Sequence, residues 1–109
     1  MSRMRESARG EVCQIRIPGV CNHNRETTVL CHANGSAAGK GIGMKSADVL
    51  GAIGCSACHD VVDGRRQPPA GMTRDDVRLC FWEGHARTVR LWIDEGLLVL
   101  ERGVTKAAA

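Results

Sequence analysis

Hydrophobic and polar positions in the first half of the chain predict short strands separated by turns. Side chains alternate in character from Val12 to Ile17, which is typical of a half-buried strand, and Pro18-Gly19 then predicts a turn. The β-branched and apolar stretch from Thr27 to His32 predicts a second strand. A glycine-rich loop over residues 34–46 and a short apolar segment from Asp48 to Ile53 follow.

Helical patterns dominate the second half. His59 to Arg65 predicts one or two helical turns, which end before a pair of prolines. A longer helix is predicted to start at Thr73, because Thr73 and Asp76 have the spacing of a capping box, and to end at Gly96. Leu97 to Leu100 predicts a final short strand.

The composition limits how such a chain can be stabilised. Its 109 residues suffice for one domain, but they include only three aromatic side chains, Phe81, Trp82 and Trp92. A core this small needs support from cross-links or a metal. We therefore expect a small α+β domain over residues 10–100, between a flexible basic arm or short helix at 1–9 and a tail at 101–109.

Charge and hydropathy point to a cytoplasmic protein with a nucleic-acid partner. The net charge of +3 lies in residues 1–66, which hold nine basic and six acidic side chains, although an ordinary surface fits this balance equally well. No signal peptide or membrane-spanning stretch is apparent, which predicts no membrane partner. In reducing cytosol, paired cysteines bind metal more often than they form disulfides.

Four of the six cysteines form two pairs that suit a structural zinc ion. Cys55 and Cys58 have the Cys-x-x-Cys spacing, and Cys13 and Cys21 flank the first predicted turn. Two turns that each provide two thiolates are the usual construction of a tetrahedral Zn²⁺ site. The wide spacing of the first pair leaves open that Cys13 or Cys21 is an ordinary buried residue. A redox or disulfide protein is a further alternative.

Histidines and acids beside these cysteines suggest phosphodiester chemistry. His59 directly follows Cys58, and Asp63 lies one helical turn later, so both face the same side and can hold a divalent ion. His32, at the end of the second strand, can take a proton from water. A structural histidine is the alternative for His32, and a hydrogen bond to a cysteine thiolate is the alternative for His59. The glycine-rich loop lacks the phosphate-binding P-loop spacing, and we predict no small-molecule cofactor.

Two cysteine-containing segments resemble those of a known family. Arg9 to Asn22 and Cys55 to Asp60 are similar to the small phage and prophage nucleases typified by YbcO, and the strand–loop–strand pattern before Cys-x-x-Cys-His resembles the HNH endonucleases. The resemblance implies a zinc-stapled ββα-metal core with a C-terminal helix. It also implies a metal-dependent endonuclease that cuts DNA in the bacterial host cell.

The resemblance also implies a role for each site residue. His32 matches the general base, and His59 and Asp63 match the ligands of a catalytic Mg²⁺, Mn²⁺, Ni²⁺ or Zn²⁺. Asp48, or Asn34 in its place, is expected to orient the base. Cys31 departs from the pattern, because many HNH enzymes have a metal-binding acid at that position. The alternative function is therefore a non-catalytic zinc-containing module that binds DNA or protein.

Overall fold

The structure, a computed structural model, describes residues 2–35 and 47–101. Two strands and three helices form the framework, with the longest helix at the C-terminal end, as the predicted α+β class requires. These elements are α1 (Arg3–Ser7), β1 (Val29–Cys31), β2 (Ala52–Gly54), α2 (Ser56–Val62) and α3 (Arg74–Asp94). Short 3-10 turns at Arg25–Thr27 and Asp48–Leu50 lead into the two strands.

The two strands form an antiparallel ribbon that leads directly into α2. Val29 lies opposite Gly54, and Leu30 lies opposite Ile53. β2 is buried along its whole length, because α3 packs against it. The end of β1 and the start of α2 are thereby held by the same small sheet.

A buried threonine attaches α3 to β2. The Thr88 hydroxyl accepts a hydrogen bond from the Ile53 amide at 2.9 Å and donates one to the Gly84 carbonyl at 2.8 Å. Gly84 also allows close approach, since a Cβ there would lie 2.7 Å from the Cα of Ile15. Any side chain at residue 84 would push α3 away from the Gln14–Ile15 segment that it covers.

The ends of α3 follow the predicted signals. Thr73 and Asp76 exchange hydrogen bonds in a capping box, and the helix ends at Asp94, two residues before Gly96. Gly96 adopts φ 78°, a left-handed conformation that glycine accepts without steric cost.

Residues 1–9 were predicted to form a flexible arm or a short helix, and residues 3–7 form helix α1. Its Ser7 hydroxyl accepts a hydrogen bond from the Trp92 indole at 2.8 Å, and Ala8 is fully buried beside Trp92. The segment therefore packs against the body of the domain.

The predicted strand from Val12 to Ile17 is wrong. Arg16 has φ 55°, which reverses the chain between two buried isoleucines, Ile15 and Ile17. The amides of residues 16 and 17 each donate to a cysteine sulfur. The alternating pattern therefore reflects a turn around the cysteines, which makes one backbone hydrogen bond to β2, from the Gln14 amide to the Ile53 carbonyl at 2.8 Å.

The final strand predicted at Leu97–Leu100 is also wrong. The amides of Leu97 and Leu98 both donate to the Trp92 carbonyl, at 2.8 and 3.1 Å, so the chain closes the end of α3 instead. α2 begins three residues earlier than predicted, because the Cys55 sulfur caps it by accepting from the Cys58 amide. The predicted loop from residue 36 to 46 and the tail from 102 lie outside the described residues. Within the described ranges, no helix is long and apolar enough to cross a membrane.

Candidate metal centre and active site

The four cysteines predicted to bind zinc lie together. The sulfur atoms of Cys13, Cys21, Cys55 and Cys58 are all within 4.8 Å of one another. Three of these cysteines are buried and Cys21 is partly exposed. The segment from Cys13 to Cys21 and the start of α2 therefore place two sulfurs each around one centre.

The dimensions of this cysteine cluster suit a tetrahedral metal ion. Zinc–sulfur bonds of about 2.3 Å place neighbouring sulfurs about 3.8 Å apart in a tetrahedron. The Cys21 and Cys55 sulfurs are 3.9 Å apart. Backbone amides of Arg16, Ile17 and Cys58 each lie 3.4 Å from a sulfur, which favours the thiolate form that a metal requires.

Contacts and burial within the cluster shift the pKa values of three of its thiols in opposite directions. A hydrogen bond from Cys58 lowers the pKa of the Cys13 thiol to about 4, and the same contact raises the pKa of Cys58. Burial raises the pKa of Cys21 to about 11. Several buried thiolates so close together are costly without a counter-charge. A divalent ion would supply that charge and release the protons.

His32 and Asp48 form a hydrogen-bonded pair at the end of β1. The His32 Nε2 and Asp48 Oδ1 atoms are 2.6 Å apart, and both side chains are about one-fifth exposed. This bond lowers the pKa of Asp48, and the carboxylate also accepts from Arg5 Nε at 3.2 Å. Because an ionised carboxylate only accepts hydrogen bonds, Nε2 carries the proton, and Nδ1 is the basic nitrogen of neutral His32.

His59 and Asp63 form a second pair, one turn apart on α2. Their Nε2 and Oδ2 atoms are 2.9 Å apart, and this bond is the main reason that the pKa of Asp63 falls to about 2. Asp63 Oδ2 also accepts from Arg65 Nη1 at 3.0 Å, and Oδ1 accepts from Asn34 Nδ2 at 3.4 Å. Three side-chain donors thus engage this carboxylate.

Asn34 connects the two halves of the candidate active site. It lies two residues after His32, and its amide contacts both the Val62 carbonyl and Asp63 on α2. Among the described residues, the cysteine cluster is the only group of three or more metal-ligating side chains that lie close enough to share an ion. The structure therefore brings His32 to Asp48 and His59 to Asp63 as separate pairs.

Cys31 lies beneath this region as a neutral core residue. It is fully buried, and burial followed by the charge of Asp63 raises the pKa of its thiol. It lies outside the cysteine cluster, so the position where an acid was expected adds no charge to the site.

Two further contacts had no signal in the sequence. Arg5 comes from α1, 43 residues from Asp48, so no local spacing links them. His23 has φ 54°, and its Nδ1 lies 3.7 Å from the Cys21 sulfur. Sequence analysis assigned no role to His23, which here helps to enclose the cysteine cluster.

A cleft of about 260 Å³ opens beside Asp63. Its walls combine polar side chains from the His32 and α2 regions with an arginine- and tryptophan-containing stretch of α3. The lining includes Asn34, Asp63, Arg74, Arg78, Phe81 and Trp82. A charged and aromatic wall of this kind can contact phosphates and nucleotide bases.

Similarity to known proteins covers almost the whole domain. A family model described as "Putative nuclease YbcO" matches residues 2–97. This chain belongs to the YbcO family. YbcO-family relatives named "Putative nuclease" from Escherichia coli (strain K12) and from Enterobacteria phage 82 are each 44% identical over 99 residues, which is 90% of this chain and 98% of theirs.

A solved structure shares the fold of this YbcO-family chain. It is described as a "putative bacteriophage protein" from Escherichia coli K-12, and it is 40% identical with a TM-score of 0.70. The match covers 86% of this chain and all of the other. Family membership, one part of the predicted resemblance, is thus confirmed.

Proposed function

We propose that this protein is a metal-dependent endonuclease of the HNH type, which hydrolyses phosphodiester bonds in DNA. The names of its YbcO-family relatives support a nuclease function in general and phage or prophage origin. The observation that carries the finer proposal is the placement of two histidine–carboxylate pairs, one after β1 and one on α2, beside the cysteine cluster.

In this proposal His32 is the general base. Asp48 fixes its tautomer, which leaves Nδ1 free to take a proton from the attacking water. Asp48 also stabilises the imidazolium that forms when the proton arrives. This is the orienting role expected of the residue between the two histidines.

His59 and Asp63 hold the catalytic ion in the same proposal. Two neighbouring ligands of an octahedral ion at about 2.1 Å lie about 3 Å apart. The observed 2.9 Å between His59 Nε2 and Asp63 Oδ2 therefore suits both as ligands, provided that Nε2 gives up its proton and Arg65 leaves the carboxylate. A divalent ion there would stabilise the negative charge that develops on the phosphate and the leaving oxygen.

The cysteine cluster holds a structural Zn²⁺ rather than taking part in the reaction. Four sulfur ligands close a tetrahedral site and leave no position for substrate. The four cysteines would hold the ion so that it ties the Cys13–Cys21 turn to α2, which carries His59. The cluster thereby fixes the helix on which the catalytic ligands lie.

The test is DNA cleavage by purified protein. Plasmid and branched DNA are incubated with Mg²⁺, Mn²⁺, Ni²⁺ or Zn²⁺, and His32→Ala is expected to slow cleavage by about 100-fold or more. Asp63→Asn should abolish metal-supported cleavage, whereas Asp60→Asn on the same helix is the matched control and should cut normally. Equal cleavage by the parent and His32→Ala would refute the assignment of the base.

A non-catalytic DNA- or protein-binding module is the second candidate. The neutral Cys31 and the engagement of Asp63 by Arg65 favour it, because both reduce the negative charge available to a second ion. This function predicts DNA binding with no cleavage in any of the four metals. It also predicts that Asp63→Asn binds DNA as tightly as the parent.

A further inference from the structure

A second pocket, of about 270 Å³, lies between α1 and β1. It is separate from the cleft beside Asp63, and its described lining contains no acidic side chain. The lining residues are Arg5, Arg9, Thr28, Val29 and Leu30. Two arginines, a threonine and an aliphatic wall therefore meet in one concave site.

Both arginines have donors available for a ligand. Arg9 is exposed, and its side chain makes no hydrogen bond or ion pair with the described residues. Arg5 donates through Nε to Asp48, and its side chain remains about half exposed. Since a guanidinium has five N–H donors, the single bond to Asp48 leaves the terminal nitrogens of Arg5 available.

Thr28 gives an independent indication that the pocket takes a polar ligand. Its side chain is 96% buried, being 4% exposed, yet its hydroxyl is the one buried side-chain polar atom without a partner among the described residues. Thr88, the other buried threonine, has both of its hydrogen bonds. Since an unpaired buried hydroxyl is unfavourable, a polar group seated beside Thr28 would supply what the fold does not.

We propose that this pocket binds a phosphate oxyanion. Two guanidinium forks match the several acceptor oxygens of a phosphate, and the hydroxyl can donate to a further oxygen. The pocket is several times the ~30 Å³ of one water molecule, so it has room for a tetrahedral phosphate. Val29 and Leu30 offer an aliphatic surface suited to a sugar next to that phosphate.

The position of Arg5 assigns the source of the phosphate. Arg5 contacts Asp48, which contacts His32, so a phosphate held by Arg5 lies on the same chain of contacts as the proposed general base. On the proposed nuclease function, on which this step rests, the ligand is a backbone phosphate of the DNA away from the bond that is cut. The pocket would then set the register of the DNA relative to His32.

Binding measurements without added divalent ion test the pocket apart from catalysis. Sodium phosphate is titrated calorimetrically at constant ionic strength, and a short DNA duplex is titrated by fluorescence anisotropy at several salt concentrations. Arg9→Gln should weaken phosphate binding about tenfold or more and lower the DNA salt slope by about 1. Arg3→Gln, the same charge change on α1 outside the pocket lining, should leave phosphate binding unchanged.

Thr28→Val distinguishes a ligand-binding hydroxyl from a merely structural one. Valine has the same shape, so the variant should melt at a higher temperature while it binds phosphate about threefold to tenfold more weakly. A higher melting temperature with unchanged phosphate affinity would overturn the proposal. Equal phosphate affinity in the parent and Arg9→Gln would overturn it as well.

The outcomes also separate the pocket from the nuclease proposal. Loss of phosphate binding in both variants, in a protein that cuts no DNA, supports the pocket and refutes the nuclease. Normal DNA cleavage together with unchanged phosphate binding in both variants supports the nuclease and refutes the pocket. Loss of phosphate binding without any change in DNA affinity or salt slope would support a site for free phosphate and refute the DNA assignment.

Discussion

Two adjacent residues on α2, Cys58 and His59, belong to regions that are built in opposite ways. Cys58 is 0% exposed and its sulfur faces three other sulfurs, whereas the His59 side chain is 29% exposed and faces a carboxylate. The cluster groups four sulfurs that a metal ion could bind, while Asp63 Oδ2 already contacts both His59 and Arg65.

On the proposed function, this difference separates a structural metal centre from an exchangeable one. Burial makes the thiolate form of the cluster costly without an ion, so the ion should bind tightly and its loss should affect the whole fold. Because His59 and Asp63 are partly exposed, water and neighbouring side chains can supply their hydrogen bonds. An ion bound there should therefore exchange with solvent with little effect on folding. Each prediction below tests one side of this contrast.

The largest effect is expected at the cysteine cluster. Cys58→Ser should lose the bound zinc and unfold the domain, because structural zinc sites contribute roughly 10 kcal/mol at neutral pH. Elemental analysis and circular dichroism measure the two consequences, and one zinc per chain is expected in the parent. Cys80→Ser, at a cysteine outside the cluster, is the control and should keep its zinc. A folded Cys58→Ser protein would remove the distinction between the two regions.

A smaller effect is expected when the pH is lowered without added divalent ion. The pKa of Asp63 in the folded protein, about 2, lies below its ordinary value of 3.8, so its contribution to stability is present above about pH 4 and disappears as the pH falls towards 2. With solvent screening, this contribution is about 1 kcal/mol.

Urea unfolding at pH 6 and pH 3 measures the contribution of Asp63. Because pH 3 lies between the folded and ordinary pKa values of Asp63, the parent should lose roughly half of this contribution, about 0.5 kcal/mol more than Asp63→Asn, between these two pH values. Asp60→Asn, which changes an exposed acid on the same helix, should behave like the parent. An equal loss in the parent and Asp63→Asn would show that the contact between His59 and Asp63 contributes nothing to folding.

The residues of the cysteine cluster and of the His59–Asp63 pair were predicted from the sequence better than the backbone conformation around them. The Cys-x-x-Cys spacing located one half of the cluster, and the i,i+4 spacing of His59 and Asp63 predicted a contact that the structure confirms. The strand predicted at Val12–Ile17 was wrong, because an alternating pattern alone does not show which groups accept hydrogen bonds from the backbone amides. The Ile17 amide donates to the sulfur of Cys58, which lies 41 residues away in the sequence.

Contacts between distant elements account for most of what the sequence did not predict. The binding of Arg5 to Asp48 depends on α1 folding back beside the 3-10 turn at residues 48–50, and no local pattern encodes that arrangement. The unpaired hydroxyl of Thr28 is visible only once every neighbour is in place. Residue types and spacings thus predicted the chemistry of the sites, while packing determined which groups are satisfied and which remain available.

The smallest and most specific effect is expected at Arg65, which already occupies Asp63 Oδ2 at 3.0 Å. If an ion binds His59 and Asp63, it must displace this guanidinium, and Arg65→Gln should tighten Mn²⁺ binding by up to about fivefold, the range of an exposed ion pair. Quenching of tryptophan fluorescence measures the affinity, because Trp82 lines the cleft beside Asp63. Arg66→Gln is the matched control, since it removes the same charge one residue away. If both variants bind Mn²⁺ equally, the ion does not compete with Arg65, and the His59–Asp63 pair is a structural contact rather than the exchangeable half of the comparison.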